Sequence, residues 1–163
     1  MECGRPMSLE QSQVEELVAA ARAALKHAYA PYSRFAVGAA VRLTDGTIVT
    51  GSNFENASYG LSLCAETVAL ATANAQGRFT DVEAIAVVGG AMAPDGSVAG
   101  DTTVTPCGRC RQVMNEAEQM AGRELAVYCA AADGSHVTRH SVAALLPHAF
   151  GPADLGLTPN RKN

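Results

Sequence analysis

Two short cysteine motifs place the strongest constraint on this chain. Cys64-Ala65-Glu66 and Pro106-Cys107-Gly108-Arg109-Cys110 supply three thiols and a carboxylate from two separate segments. Each motif opens a segment with helical character, so the fold must bring two helix starts together if the sulfurs are to act as one unit. The Cys107/Cys110 pair alone fits a redox couple or half of a closed structural metal site as well as a catalytic one. The third thiol of Cys64 turns the set toward zinc. Three protein ligands leave a fourth tetrahedral position open to water, whereas a structural zinc usually closes all four. A first-turn acid such as Glu66 is ordinarily no more than a favourable partner of the helix dipole. Outside a three-sulfur shell and beside a metal-held water, it becomes a proton carrier. Two helix N-termini facing one metal also favour deprotonated sulfur.

Composition narrows the substrate class. The chain has 163 residues, enough for one domain, and its 48% hydrophobic and 17% charged content is that of a globular protein. A net charge of −4 and a pI near 5.5 supply no basic stripe for a polynucleotide, which favours a free small molecule. No apolar run has the length of a signal peptide core or a membrane span, so a cytoplasmic location is expected. In a reducing compartment, five cysteines read as ligands or buried thiols. Cys129, in an apolar run, reads as a buried core thiol, and Cys3 falls in an N-terminal tail. The four histidines, His27, His136, His140 and His148, stand at no ligand spacing.

The element order follows from periodicity and punctuation. Ser8-Leu9-Glu10-Gln11 resembles a capping box, and Val14, Leu17, Val18, Ala21 and Leu25 keep helical spacing, predicting a helix over about 9–27. Strands over 36–43 and 47–51 flank the Asp45-Gly46 turn. A helix over 64–76 ends at Gly77, a strand spans 83–88, and residues 89–105 read as the longest loop. Pro106 is placed to start a helix to about Ala121, followed by a strand over 125–130, a short strand near 137–139 and a brief helix capped by Ser141. Helices and strands in this order predict an α/β sandwich. One domain covers 1–163, with its core over about 8–155 and tails at both ends.

Both cysteine motifs, together with AYAPYSRFAVGAA over 28–40, SNFENASYG over 52–60 and LLPHAFGPADL over 145–155, resemble the cytidine deaminases of the small homotetrameric type. Zinc deaminases share the grammar of an x-Glu motif followed by Pro-Cys-x-x-Cys, with the Glu outside the metal shell. The resemblance implies a three-layer α/β/α sandwich on a five-stranded mixed sheet and one Zn2+ per subunit. It implies Cys64, Cys107 and Cys110 as ligands and Glu66 as the catalytic proton carrier. It also maps Asn53 and Glu55 to the sugar, Phe35 to the nucleoside pocket and the Ala65 main chain to the edge of the base. Ala57 and Tyr59 match positions that reach the sugar from a neighbouring subunit, and Phe150 matches one that packs near the base across subunits. Read without the resemblance, Asn53 to Asn56 would be a turn and Phe35 a core residue.

The expected reaction is hydrolytic deamination of cytidine and deoxycytidine to uridine and deoxyuridine with ammonia release, in pyrimidine salvage. The expected assembly is a homotetramer with no nucleic-acid or membrane partner. A blasticidin-type or other aminopyrimidine deaminase is the alternative on the same scaffold. A non-catalytic zinc or redox protein is the alternative from another class, and it predicts a fourth protein ligand or a Cys107–Cys110 disulfide. Three thiolates against one dication leave a −1 cluster. Many relatives carry Arg after the Glu, where this chain has Thr67, so Arg109 and Arg111 become candidates to offset that charge.

Overall fold

The computed structural model describes residues 8–159, and Cys3 lies outside them. The chain runs as helix α1 (Gln11–Ala24), strand β1 (Phe35–Leu43), strand β2 (Ile48–Ser52), helix α2 (Ala65–Ala75), strand β3 (Val82–Ala91), helix α3 (Gly108–Ala121), strand β4 (Ala126–Ala131), strand β5 (Thr138–Ser141) and helix α4 (Val142–Leu145). One mixed sheet has the order β2-β1-β3-β4-β5. Its β3/β4 pair is parallel and the other neighbours are antiparallel. Parallel strands need a crossover, and here α3 supplies it, carrying the second cysteine motif.

Two apolar layers sandwich the sheet. Val14, Leu17, Val18 and Ala21 of α1 pack on Ala36, Ala40, Ala84 and Ala86 on one face. On the other, Ala65, Ala69 and Leu70 of α2 and Met114 and Ala117 of α3 cover Val41, Ile85, Val87 and Val127. With both faces covered, β1, β3 and β4 are buried almost throughout. This is the three-layer α/β/α sandwich with a five-stranded mixed sheet that the resemblance implies. No helix among the described residues is long and apolar enough to cross a membrane.

Missing side chains let the helices lie close on the sheet. A Cβ on Gly38 would stand 2.0 Å from the Ala21 carbonyl oxygen of α1, and one on Gly51 would stand 2.5 Å from Ala65 O and Ala69 N of α2. Gly51 therefore sets the height at which α2 starts over the sheet, and with it the height of Cys64 and Glu66.

Several boundaries shift from the sequence expectation. Glu10, not Ser8, caps α1, and its N–H donates to Gln13 Oε1 at 2.9 Å. Residues 25–27 close the helix as a 3-10 turn. The expected loop over 89–105 starts later, because Gly89 and Gly90 extend β3 to Ala91. A Cβ on Gly89 would stand 3.0 Å from Ala36 O and 3.4 Å from Phe35 Cε1, so this pair is a close approach and not a turn. Pro106 precedes the N-cap Cys107 instead of opening α3. Ser141 caps α4 as expected, with Ala144 N–H donating to its Oγ at 3.2 Å.

Candidate active site

The first helical residue of α2 follows Cys64, and the first of α3 follows Cys107, so both cysteines are N-caps in extended conformation. An N-cap side chain normally accepts from the first free N–H groups. Neither sulfur does, which leaves both aimed at the space between the helix starts. Cys110, in the first turn of α3, completes the cluster. The three Sγ atoms lie within 4.8 Å of one another, and Cys64 and Cys107 are 3.8 Å apart. A tetrahedral zinc with sulfurs at about 2.3 Å spaces its ligands about 3.8 Å apart, so the sulfurs fit one ion. The cysteines are not joined by a disulfide, and among the described residues no fourth His, Cys, Asp or Glu joins the cluster. The donor set is that of a zinc site with an open position.

The electrostatics suit that ion. Cys64 is pulled down to about 6, first by the hydrogen bond from Cys110 and further by Cys107, against burial and the Glu66 carboxylate. Cys110 is pushed up, as the donor to Cys64 and as a buried thiol. A dication among the sulfurs would override this ordering and take all three as thiolates. Glu66 is only 4% exposed, and burial raises its carboxyl above the ordinary range. Cys129 is a buried core thiol, as expected, its proton held up to about 12 by burial.

A pocket of about 220 Å³ opens beside the cluster, lined by Val37, Asn53, Glu55, Ser62, Leu63, Cys64, Ala65, Glu66, Val104, Thr105 and Cys107. Asn53 and Glu55 both line this pocket. Asn53 uses its amide to extend the sheet edge, accepting from Val37 N–H at 2.9 Å and donating to Phe35 O at 2.8 Å. Glu55 Oε2 accepts from Tyr32 N–H at 2.9 Å and Ser33 N–H at 3.2 Å. Burial works against its charge, but the bonds from the Ser33 hydroxyl and the two N–H groups outweigh it and hold the carboxyl below its ordinary value. Both side chains are thus locked before any ligand arrives.

Phe35, Ala57, Tyr59 and Phe150 do not line this pocket. Phe35 is 38% exposed, Tyr59 76% and Phe150 61%, and Tyr59 stacks edge-on with Tyr32 at 5.7 Å. Sequence reading passed over Val37, Leu63, Val104 and Thr105. Val37 carried a usable signal, because it is two residues beyond Phe35 on the same strand face. The larger groove of about 590 Å³ lies along α1, on the sheet face away from the cysteines.

The two arginines flanking Cys110 bond to carbonyls, not to sulfur. Arg111 donates to Pro106 O and Leu145 O at 2.8 Å each, tying the start of α3 to α4, and Arg109 donates to Ser62 O at 3.3 Å. Arg109 still lowers Cys64 through its charge. The hydrogen-bonding group near a ligand sulfur is Thr67, whose hydroxyl lies 3.8 Å from Cys110 Sγ. Against a thiolate that hydroxyl is the donor. Thr67→Val is therefore expected to weaken zinc binding about 10-fold in competition with a chelator, while Thr67→Ser keeps it. Equal affinity in the two variants would remove Thr67 from the metal's support.

Known proteins resemble this chain in sequence and fold. A family model described as the cytidine and deoxycytidylate deaminase zinc-binding region matches residues 11–123. A cytidine deaminase of Halalkalibacterium halodurans is 44% identical over 139 residues, covering 85% of this chain and 95% of its own. One from Mycobacterium tuberculosis is 43% identical over 130 residues, covering 78% and 82%. The crystal structure of the Burkholderia pseudomallei cytidine deaminase superposes with a TM-score of 0.72 at 42% identity, covering 87% of this chain and 100% of that one. Both cysteine motifs and strands β1 to β3 fall inside the matched region, and the chain belongs to the cytidine deaminase family of zinc hydrolases.

Proposed function

We propose that this enzyme converts cytidine and deoxycytidine to uridine and deoxyuridine with release of ammonia, serving pyrimidine salvage in the cytoplasm. The observation that carries the reading is the buried Glu66 carboxyl, two residues from Cys64 and in the same pocket as an open three-sulfur cluster. Cys64, Cys107 and Cys110 would hold the zinc, which would supply a water acidic enough to lose a proton near neutral pH and serve as the nucleophile for carbon four of the base. Glu66 accepts that proton and passes it to the neighbouring ring nitrogen. From the tetrahedral carbon it helps carry a proton to the amino group, which leaves as ammonia while the new C–O bond becomes a carbonyl. One water is consumed and one ammonia released per turnover.

The remaining pocket groups take the nucleoside. Glu55 keeps one carboxylate oxygen for a ribose hydroxyl, and Asn53 stands beside it with its amide plane fixed by β1. The Ala65 main chain, at the start of α2, meets the edge of the base, and Phe35, outside the pocket of the single chain, closes on the bound nucleoside. Ala57, Tyr59 and Phe150 serve a neighbouring subunit's site in a homotetramer. That assembly is supported by Tyr29, Tyr32, Phe54, Tyr59 and Leu61, large apolar side chains left exposed on the single chain.

The test is a stoichiometric assay of zinc-loaded protein with cytidine, deoxycytidine and blasticidin S. One ammonia per uridine, with blasticidin S untouched, is expected. Release of ammonia from blasticidin S alone would move the enzyme to the antibiotic deaminases. No release from any of the three at one zinc per chain would sink the deaminase reading.

A further inference from the structure

Helix α3 carries, beyond its two cysteines, an amide ladder that the proposed chemistry does not use. Gln112, Asn115 and Gln119 are spaced so that they share one face of the helix. Gln112 Nε2 donates to Phe150 O at 2.8 Å, and Asn115 Nδ2 donates to the same oxygen at 3.3 Å. Gln119 Oε1 accepts from Ala153 N–H at 3.0 Å, while its Nε2 donates to Asn115 Oδ1 at 3.4 Å. Asn115 is only 6% exposed, and a polar side chain so buried costs stability unless it is bonded. Here the bonds go to the main chain on both sides of Gly151.

The segment fits the ladder closely. Gly151 has an extended backbone that any residue adopts, yet a Cβ there would stand 2.6 Å from Asn115 Nδ2 and 2.7 Å from Gln119 Nε2. Gly151 N–H also donates to Asp154 Oδ2 at 2.8 Å, which closes the turn over Pro152–Leu155. The main chain around Phe150 is thus clamped, while the residue stays 61% exposed. A tail that needed only anchoring would bury its large apolar side chain. This segment buries a glycine, a proline and a carbonyl, and leaves the aromatic outside.

We infer that Gln112, Asn115 and Gln119 are positioning residues that fix the Phe150 main chain and so aim its ring at the nucleoside bound in a neighbouring subunit. The inference rests on the reading that Phe150 serves a neighbour's site. The zinc-bearing helix of one subunit then also sets a wall of the next subunit's pocket. Because the ladder touches only main-chain atoms at position 150, it acts through the placement of the ring. Its loss therefore weakens nucleoside binding and leaves the chemical step intact.

Four tetrameric enzymes test this: the parent, Gln112→Met, Phe150→Ala and the double variant, each assayed with cytidine after zinc content and Tm are measured. Gln112 is exposed, so its replacement leaves folding and zinc content at the parent's level. A Gln112→Met/Gln119→Met pair removes the bonds on either side of Gly151 and leaves that of Asn115. Expected for Gln112→Met is a KM rise of about 5-fold with kcat within about twofold of the parent, reflecting one lost hydrogen bond. Added to Phe150→Ala, the same substitution is expected to raise KM no further. Additive effects, or an unchanged KM in Gln112→Met where Phe150→Ala raises it, overturn the ladder's role while leaving the role of Phe150 standing. An unchanged KM in Phe150→Ala removes the premise, and the inference falls with it.

Discussion

Glu66→Gln is expected to keep one zinc per chain and to lose cytidine turnover about 10³-fold, the scale on which a positioned proton carrier contributes. Gln preserves the volume and most of the contacts of a side chain that is 4% exposed, so the pocket keeps its shape. It cannot take a proton from water or return one to the base. The cysteines hold the metal without Glu66, which stands outside the three-sulfur cluster. Metal analysis beside kcat therefore separates two roles. Activity lost with zinc retained assigns proton transfer to Glu66. Activity and zinc lost together would make Glu66 a support of the metal site, and full activity would hand the proton to another group.

Gly51→Ala is expected to damage stability and catalysis at once. The added methyl would stand 2.5 Å from two backbone atoms of α2, Ala65 O and Ala69 N, and neither has a rotamer through which to retreat. Overpacking of this kind costs about 1–3 kcal/mol, and for a chain of this length each kcal/mol lowers Tm by about 2–4 °C. The relief available is to lift the start of α2, which moves Cys64, Ala65 and Glu66 together. A shift near 1 Å among reacting groups costs about 10²-fold, so kcat/KM should fall by that order even in the folded fraction. Gly38 tests the local origin of the effect. Its methyl would strike α1 on the opposite face of the sheet, so Gly38→Ala should lower Tm while the protein that remains folded keeps its zinc and kcat. Equal catalytic loss in both variants would show a sheet that transmits strain across its whole thickness.

The sequence was most readable where function is written in local spacing. Cys64, Glu66, Cys107 and Cys110 stand at the starts of two helices, and one turn of helix brings Cys110 back toward Cys107. Alternation and turn residues likewise placed every strand to within a few residues. What escaped was whatever depends on a partner distant in the chain. Gly89 and Gly90 look like a loop because nothing local reveals that Ala36 and the Phe35 ring crowd the first and Ala99 and Ala132 the second. Arg111 looks like a counter-charge for sulfur, yet the carbonyls of Pro106 and Leu145 hold it, while Arg109 bonds to Ser62 O and acts on Cys64 only through its charge. The amide ladder of α3 is harder still to foresee, since its partners are backbone atoms that leave no trace in the identity of residue 150. Phe35, Tyr59 and Phe150 stay outside the pocket of a single chain, and only the family resemblance connects them with it.

The placement of Cys64 and Cys107 at N-caps has a thermodynamic side. Each has taken a position where Ser, Asp or Asn would satisfy free N–H groups, and substituting such caps ordinarily costs about 0.5–2 kcal/mol. The helix starts thus give up self-sufficiency, and the cation that gathers their sulfurs becomes part of what keeps them wound. Binding that favours the native chain adds stability as RT ln(1 + [L]/Kd), about 2.7 kcal/mol when free ligand is 100 times Kd. Zinc would then add to the stability of the fold as well as to activity, so removing the metal is expected to lower Tm together with turnover.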